Sequence, residues 1–353
     1  VGEVTLFADY SGDATFAAAE ATTVEHIVNP ATPTEMCGLD PRTTPNDPTG
    51  FVPITQLSGA VYTPGIAQDI TGDGNLSVVI SYPAANALIA DMTVDVVGTF
   101  VGPTNTGITV NGIVASTVNG QFLVSGVPLT TGSNTLTITA TTLPGAQATT
   151  SRVVNQGGSV SPLSLTVDSS TGASGFLPKT VTFDVAVAGA IQSIAIDTDG
   201  DGTYDYTAAS LESLPTSFIY SRSGAYPVTL KAVDNSGNTY HVTRWVLIQD
   251  HAATRNMLCD IYGYLKDRLM AQDAAAASHT YQPYMQGQYQ SLFIALGANM
   301  PSAAVALGTV ANGFIGHGYA EMTLIRDNSN LSRNGFPLRM TQGIDGVWRI
   351  SEM

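Results

Sequence analysis

The sequence predicts a multidomain, mainly β protein: two tandem β-sandwiches followed by a C-terminal α+β domain. Three observations carry this. From Leu76 to about residue 250, short apolar stretches alternate with Gly- and Asn-bearing turns, the spacing of antiparallel strands rather than of helices. After residue 250 the apolar period lengthens to three and four residues, as on one face of a helix. The charge also changes there: residues 1–250 hold 21 acidic and six basic side chains, whereas 251–353 hold seven of each. The boundaries drawn are 1–67, 68–156, 157–250 and 251–353.

Composition excludes several classes. The net charge of −15 and pI near 4.4 repel phosphate backbones and anionic lipid surfaces, so neither nucleic acid nor membrane insertion is expected. Apolar residues make up 44% of the chain, enough to offset chain entropy, so disorder is not expected. No apolar run approaches the ~18–20 residues that span a bilayer. Residue 1 is Val, consistent with an exported chain whose signal peptide has been removed. Few lysines, abundant Thr, Ser, Asn and Gly, and acidity together resemble bacterial surface proteins, so a secreted or cell-surface location is expected.

Residues 1–67 begin with a short strand at Val4-Thr5-Leu6-Phe7, and Ala14–Ile27 reads as a helix or an irregular strand. Six prolines between Asn29 and Pro53 remove backbone donors and favour extended geometry. A strand on such a connection can add to an open sheet edge, its own or a neighbour's, which makes Val4, Leu6 and Phe7 candidate interaction residues.

In 68–156, strands are predicted at Ser77–Ser81, Thr93–Val97, Gly107–Val110, Gly120–Val124 and Asn134–Ala140, the last alternating apolar residues with Thr. Asn111-Gly112 and Asn119-Gly120 suit tight hairpins. Thr109-Val110-Asn111-Gly112, Phe122, Val127-Pro128-Leu129 and Gly132 through Ala140 resemble the bacterial Ig-like domains found beside glucodextranase-type catalytic modules. The resemblance implies a sandwich that serves as a spacer or binding platform.

In 157–250, strands are predicted at 163–168, 180–187, 191–196, 217–221, 226–234 and 239–248, with Tyr226, Val228, Leu230 and Ala232 on one buried face. Val181-Thr182-Phe183-Asp184, Ile196 through Gly202, and Gly224 through Asp234 resemble a PKD domain, another Ig-like sandwich of microbial surface proteins. The aromatic-Asp-Phe-Gly core of that family's central motif is absent.

In 251–353, Met257, Leu258, Ile261, Leu265, Leu269 and Met270 form a helical stripe, with Lys266, Asp267 and Arg268 on the other side. A second helix is expected over Met285–Leu296, with Met285, Tyr289, Leu292, Phe293 and Leu296 inward, and Pro301 opens a third. Strands follow at 309–315, 318–326, 335–342 and 346–351. Helices first, then an antiparallel sheet ending in Asp345-Gly346-Val347-Trp348-Arg349-Ile350, resemble the NTF2-like (SnoaL-like) cone; a small α+β domain of another lineage fits the pattern equally.

The sharpest chemical signal is Asp197-Thr-Asp199-Gly-Asp201-Gly202-Thr203-Tyr-Asp205. Carboxylates at loop positions 1, 3, 5 and 9, with Gly at 6, match the front of a calcium loop, and Thr203 can add a carbonyl. Position 12 is Ala208 rather than an acid; Glu212 is the substitute if the chain turns back. The alternative is an Asp/Gly-rich hairpin that binds nothing. Asp69-Ile-Thr71-Gly-Asp73-Gly74-Asn75 is a weaker relative. Cys37 and Cys259 form either one disulfide or two separate buried thiols.

No G-x-S-x-G, H-E-x-x-H, P-loop or dinucleotide motif occurs, so no catalytic residue, enzymatic activity or organic cofactor is expected. A pocket in the last domain would draw on Asp260, His279, His317 and Glu321. The function expected is a non-enzymatic extracellular structural or interaction protein whose partners are other proteins or copies of itself, assembling into a filament or layer. The alternatives are a carbohydrate-binding or adhesion protein, and a small-molecule binder or enzyme on a β stalk. Trp245 and Trp348, the two tryptophans, sit in alternating strands and are expected in the core rather than on a sugar platform.

Overall fold

The computed structural model describes residues 2–6, 9–10, 19–20, 24–28, 75–167, 172–327 and 333–353. Near the start, β1 (Gly2–Leu6) pairs antiparallel with β4 (Val24–Val28), placing Leu6 opposite Val24. Between them β2 (Asp9–Tyr10) pairs with β3 (Ala19–Glu20). Val4 and Leu6 therefore lie in a local two-stranded sheet; Phe7, Cys37 and the Asp69–Gly74 stretch lie outside the described residues.

The first sandwich comprises β5 (Ser77–Tyr82), β6 (Leu88–Ile89), β7 (Thr93–Val101), β8 (Gly107–Val110), β9 (Ile113–Val114), β10 (Ser116–Val118), β11 (Gln121–Pro128), β12 (Gly132–Thr141) and β13 (Gln147–Gln156). Its sheets run β10-β11-β7-β5 and β6-β13-β12-β8-β9. Alternation puts Leu136, Ile138 and Ala140 of β12 on the inner face, fully buried against Phe122, Val96 and Val78, as period-two side-chain direction requires. Both Asn-Gly pairs adopt positive φ, +49° and +82° at Asn111-Gly112 and +49° and +73° at Asn119-Gly120, the hairpin geometry expected of them. In β7, residues 94–98 are buried without alternation, because its outer face is covered by the next module.

The second sandwich comprises β14 (Leu163–Val167), β15 (Ser174–Phe176), β16 (Lys179–Val187), β17 (Ile191–Asp197), β18 (Tyr206–Ala208), β19 (Ser217–Tyr220), β20 (Gly224–Asp234) and β21 (Thr239–Gln249). The sheets are β14-β16-β19 and β15-β21-β20-β17-β18. Val228, Leu230 and Ala232 are fully buried, while Tyr226 packs at the margin of the same core.

The C-terminal domain has α1 (His251–Met270), α2 (Ala274–Ser278), α3 (Pro283–Leu296) and α4 (Met300–Ala306), then β22 (Thr309–Gly316), β23 (Tyr319–Asp327), β24 (Arg333–Gln342) and β25 (Trp348–Glu352) in an antiparallel meander. Asp250 caps α1 by accepting the Ala252 and Ala253 amides, satisfying donors that the first turn leaves free. Leu258, Ile261, Leu265 and Leu269 share one core with Met322, Leu324, Leu338, Met340 and Ile350. The chain is thus multidomain and mainly β, with a C-terminal α+β domain.

Two expectations for this domain are corrected. Lys266 is not a solvated helix side chain: its Nζ donates to the Gly308 carbonyl at 3.0 Å, beside the Tyr262 hydroxyl bonded to Leu307 and Gly308 carbonyls. These donors satisfy carbonyls just past the end of α4. Leu292 is not inward: it is 50% exposed, while Phe293 carries the buried face of α3.

Two junctions tie the modules together. Between the sandwiches, Val97, Val118, Leu123 and Leu247 form a buried cluster flanked by Tyr82 and Trp245. A β-bulge in β11 turns the Gly126 amide toward Asp95 Oδ1 (3.1 Å), while Asp95 Oδ2 accepts the Trp245 amide (3.2 Å). Arg244 pairs with Asp91 at 2.7 Å and donates to the Leu165 carbonyl. Between the first sandwich and the C-terminal domain, Asn105 bonds the Trp348 backbone twice and Leu143 packs on Val347.

Candidate functional site

The acidic loop joins β17 to β18. Asp197, at the end of β17, is buried, and its two oxygens accept the Gly200 amide (2.7 Å) and the Gly202 amide (3.0 Å). Both glycines have positive φ, +76° and +87°, a conformation that side chains disfavour. A Cβ on Gly200 would also collide with the Pro227 ring. Asp205 closes the loop, its Oδ2 accepting both the amide (2.7 Å) and the hydroxyl (2.6 Å) of Thr198. The Tyr220 hydroxyl, beneath the loop, donates to the Thr198 carbonyl at 2.8 Å. Burial pushes the Tyr220 phenol well above its usual range, and Tyr226 and the carboxylates of Asp199, Asp205 and Asp197 add to the effect.

One carboxylate oxygen from each of Asp197, Asp199 and Asp205 lies within 4.8 Å of the others. A hard cation with ~2.3–2.6 Å oxygen bonds fits between atoms at that separation. This is a donor set able to hold a metal ion, in which Asp197 is buried and the other two are exposed. Asp201 is not one of the three: its carboxylate accepts the Thr203 amide at 2.7 Å. Glu212 sits apart in a short 3-10 turn, Leu211–Ser213.

The polar candidates of the C-terminal domain lie on separate elements. Glu321 is on the outer face of the sheet, where it accepts from the Tyr319 hydroxyl (2.7 Å) and Arg339 Nε (2.8 Å). These contacts hold its carboxyl below the usual carboxylate range. Arg339 also pairs with Glu352. His317 is in the β22–β23 turn, His279 follows α2, and Asp260 is on α1. Beside Glu321, a shallow depression of about 410 Å³ is lined by Gly313, Phe314, Tyr319, Glu321 and Thr323; Phe314 is 65% exposed there.

Cys259 is buried on α1. Trp348 is buried in the C-terminal core, whereas Trp245 lies at the inter-sandwich junction. The junction residues Asp95 and Asn105 were not anticipated as special. An acid inside the apolar run Val94-Asp95-Val96-Val97 is a signal that could have marked the first; no pattern marks the second.

No protein-family model matches the chain, and no curated protein matches it. Solved structures similar to parts of it include the fibronectin(III)-like modules of Clostridium thermocellum CbhA, with 12% identity over 50% of this chain and 95% of that one, at a TM-score of 0.20. Latent PorU from Porphyromonas gingivalis is similar at 10% identity over 53% of this chain and 21% of that one, at a TM-score of 0.28. Domains 5-6 of the S-layer protein SbsC are similar at 15% identity over 50% and 98% of the two chains, with a TM-score of 0.23. Scores of this size carry no inference about function. Among the described residues, no helix is long and apolar enough to cross a membrane.

Proposed function

We propose that this chain is a non-enzymatic extracellular building block of a bacterial cell surface, assembling with copies of itself into a filament or layer. The observation that carries the reading is the pair of junctions. Asp95 and Asn105 each bond backbone groups on another module, and both lie in buried surroundings. Modules fixed to one another in this way move as one body, whereas modules on free linkers move independently. The sandwiches then correspond to the Ig-like and PKD-like units of 68–156 and 157–250, and the last domain to the NTF2-like cone of 251–353. Cys37 paired with Cys259 would staple the N-terminal segment to α1, leaving β1, with Val4 and Leu6, as the strand offered to a neighbour, and Phe7 next to it in the sequence as a further contact. Size-exclusion chromatography with negative-stain imaging tests this reading: concentration-dependent oligomers support it, and a strictly monomeric particle at high concentration overturns it.

The acidic loop adds a metal, with calcium as the ion its spacing favours. Asp197, Asp199 and Asp205 supply the carboxylates in this proposal.

A carbohydrate-binding or adhesive role is favoured by one observation. Phe314 and Tyr319 are exposed over the depression beside Glu321, an aromatic face next to a polar acceptor of the kind that holds a sugar ring. Glycan-array binding that disappears in Phe314→Ala supports this second reading, and an array without hits removes it.

A further inference from the structure

Among the described residues, none covers the outer face of α3. Phe293 is the one residue of its fourteen that is fully buried, while Tyr284, Leu292 and Ile294 are 78%, 50% and 64% exposed. At 100° per residue, Tyr284, Gln288, Ser291 and Ala295 fall on the side opposite Phe293, with Leu292 and Ile294 flanking them. The face also carries no charge. Residues 274–320 contain no Asp, Glu, Lys or Arg, although an exposed helix face is ordinarily the charged one.

We infer that this face is the contact between two copies of the chain, packed with their α3 helices antiparallel across a two-fold axis. This rests on the self-assembly reading and locates its surface.

Two features of the face select a second copy as the occupant. The first is charge. Each chain carries −15 overall, so two copies repel at long range and can approach closely where neither presents an acid. The second is shape. In an isologous contact the same surface must complement itself. An antiparallel pair centred between Gln288 and Ser291 sets Tyr284 opposite Ala295 and Gln288 opposite Ser291. A large side chain then meets a small one, and the two polar residues meet beside the axis. Helices packed over small residues approach to about 8–10 Å.

A contiguous exposed apolar patch on a monomer is at most on the order of 300–600 Å², and a single helix face falls within that range. Two copies therefore bury roughly 1,000 Å² in all, at the lower limit for a specific interface. The contact is accordingly weak and concentration-dependent.

Sedimentation of the full chain over a range of protein and salt concentrations tests the inference. The expected result is a dimer that tightens several-fold as salt rises from about 0.05 to 0.5 M, because screening weakens repulsion between the acidic bodies. Gln288→Glu places two carboxylates on either side of the axis, each facing the partner's Ser291, and should weaken the dimer by about tenfold or more, with an unchanged melting temperature because Gln288 is exposed. Ser291→Cys, close to the axis, should cross-link the dimer under oxidation. Assembly that persists undiminished in Gln288→Glu overturns this surface while leaving self-assembly standing. A monomer under every condition overturns both. A dimer that weakens with added salt, or one that Ser291→Cys fails to cross-link, also overturns the surface.

Discussion

Asn105 and Trp348, 243 residues apart, exchange two hydrogen bonds: Asn105 Nδ2 donates to the Trp348 carbonyl and the Trp348 amide donates to Asn105 Oδ1, both at 2.9 Å. The amide side chain thus pairs with the end of the C-terminal sheet as a neighbouring strand would. It explains the Asp345-Gly346-Val347-Trp348-Arg349-Ile350 run. Gly346 turns the chain at φ +80°, and Asp345 holds Arg349 through two bonds of 3.0 and 2.9 Å. Trp348 presents its backbone to Asn105 while its ring enters the core.

Asn105→Ala removes both partners of Trp348's backbone in a buried place. A loss of about 2–4 kcal/mol is expected from two orphaned polar groups, read as a lower melting temperature. Gly107→Ala should act at the same junction, because a Cβ there would strike the backbone at Asp345, Gly346 and Val347. The two costs should add incompletely, as for sites that share an interface. Full additivity would show that the substitutions act independently.

Asp95 governs the other junction and gives it a pH signature. Burial raises its carboxyl above the usual value and Asp91 adds to this, against the opposing pull of the Gly126 and Trp245 amides and Arg244. A raised acid contributes its stability below the unfolded value, near ~3.9, and loses it as pH rises through the folded value. The melting-temperature difference between the native chain and the non-titrating Asp95→Asn should therefore be most favourable to the native chain at low pH and shrink above it. A difference that grows with rising pH would contradict this assignment.

Calcium should raise the melting temperature if Asp197, Asp199 and Asp205 bind it, by about 2.7 kcal/mol of stability at a hundredfold excess over the dissociation constant. Asp199→Asn should abolish most of that shift, since it removes one charged ligand yet keeps an oxygen for the Asp201 amide bonded there at 3.2 Å. Identical melting in calcium and in chelator would leave the loop as a self-bonded hairpin.

Reductant should loosen residues 1–60 if Cys37 and Cys259 are bridged, because cutting the bridge frees the N-terminal segment. Limited proteolysis reads this as faster cleavage within 1–60. Equal cleavage with and without reductant would count against the bridge.

Most strands were legible in advance because alternation and turn chemistry are local. Asn134–Ala140 was expected as a half-buried strand and lies within Gly132–Thr141, with the predicted face inward. The strand β15, Ser174–Phe176, was missed: it is three residues long and pairs in parallel with β21, more than seventy positions away, so no short-range pattern announces it. In the acidic loop, spacing pointed to the stretch where carboxylates converge but not to which of them do so. Backbone amides claim Asp197 and Asp201, and that depends on φ values at Gly200 and Gly202 rather than on the order of the acids.

What the sequence determined by itself was therefore the element pattern and the division into two β units and one α+β unit, since periodicity and turn residues act over a few positions. The tertiary structure alone decided which faces were covered. Asp95 became a buried junction residue, Leu292 was left outside, and Asn105 was brought to Trp348. Burial is a property of what packs from a distance, and nothing in the local spacing of side chains encodes that neighbour.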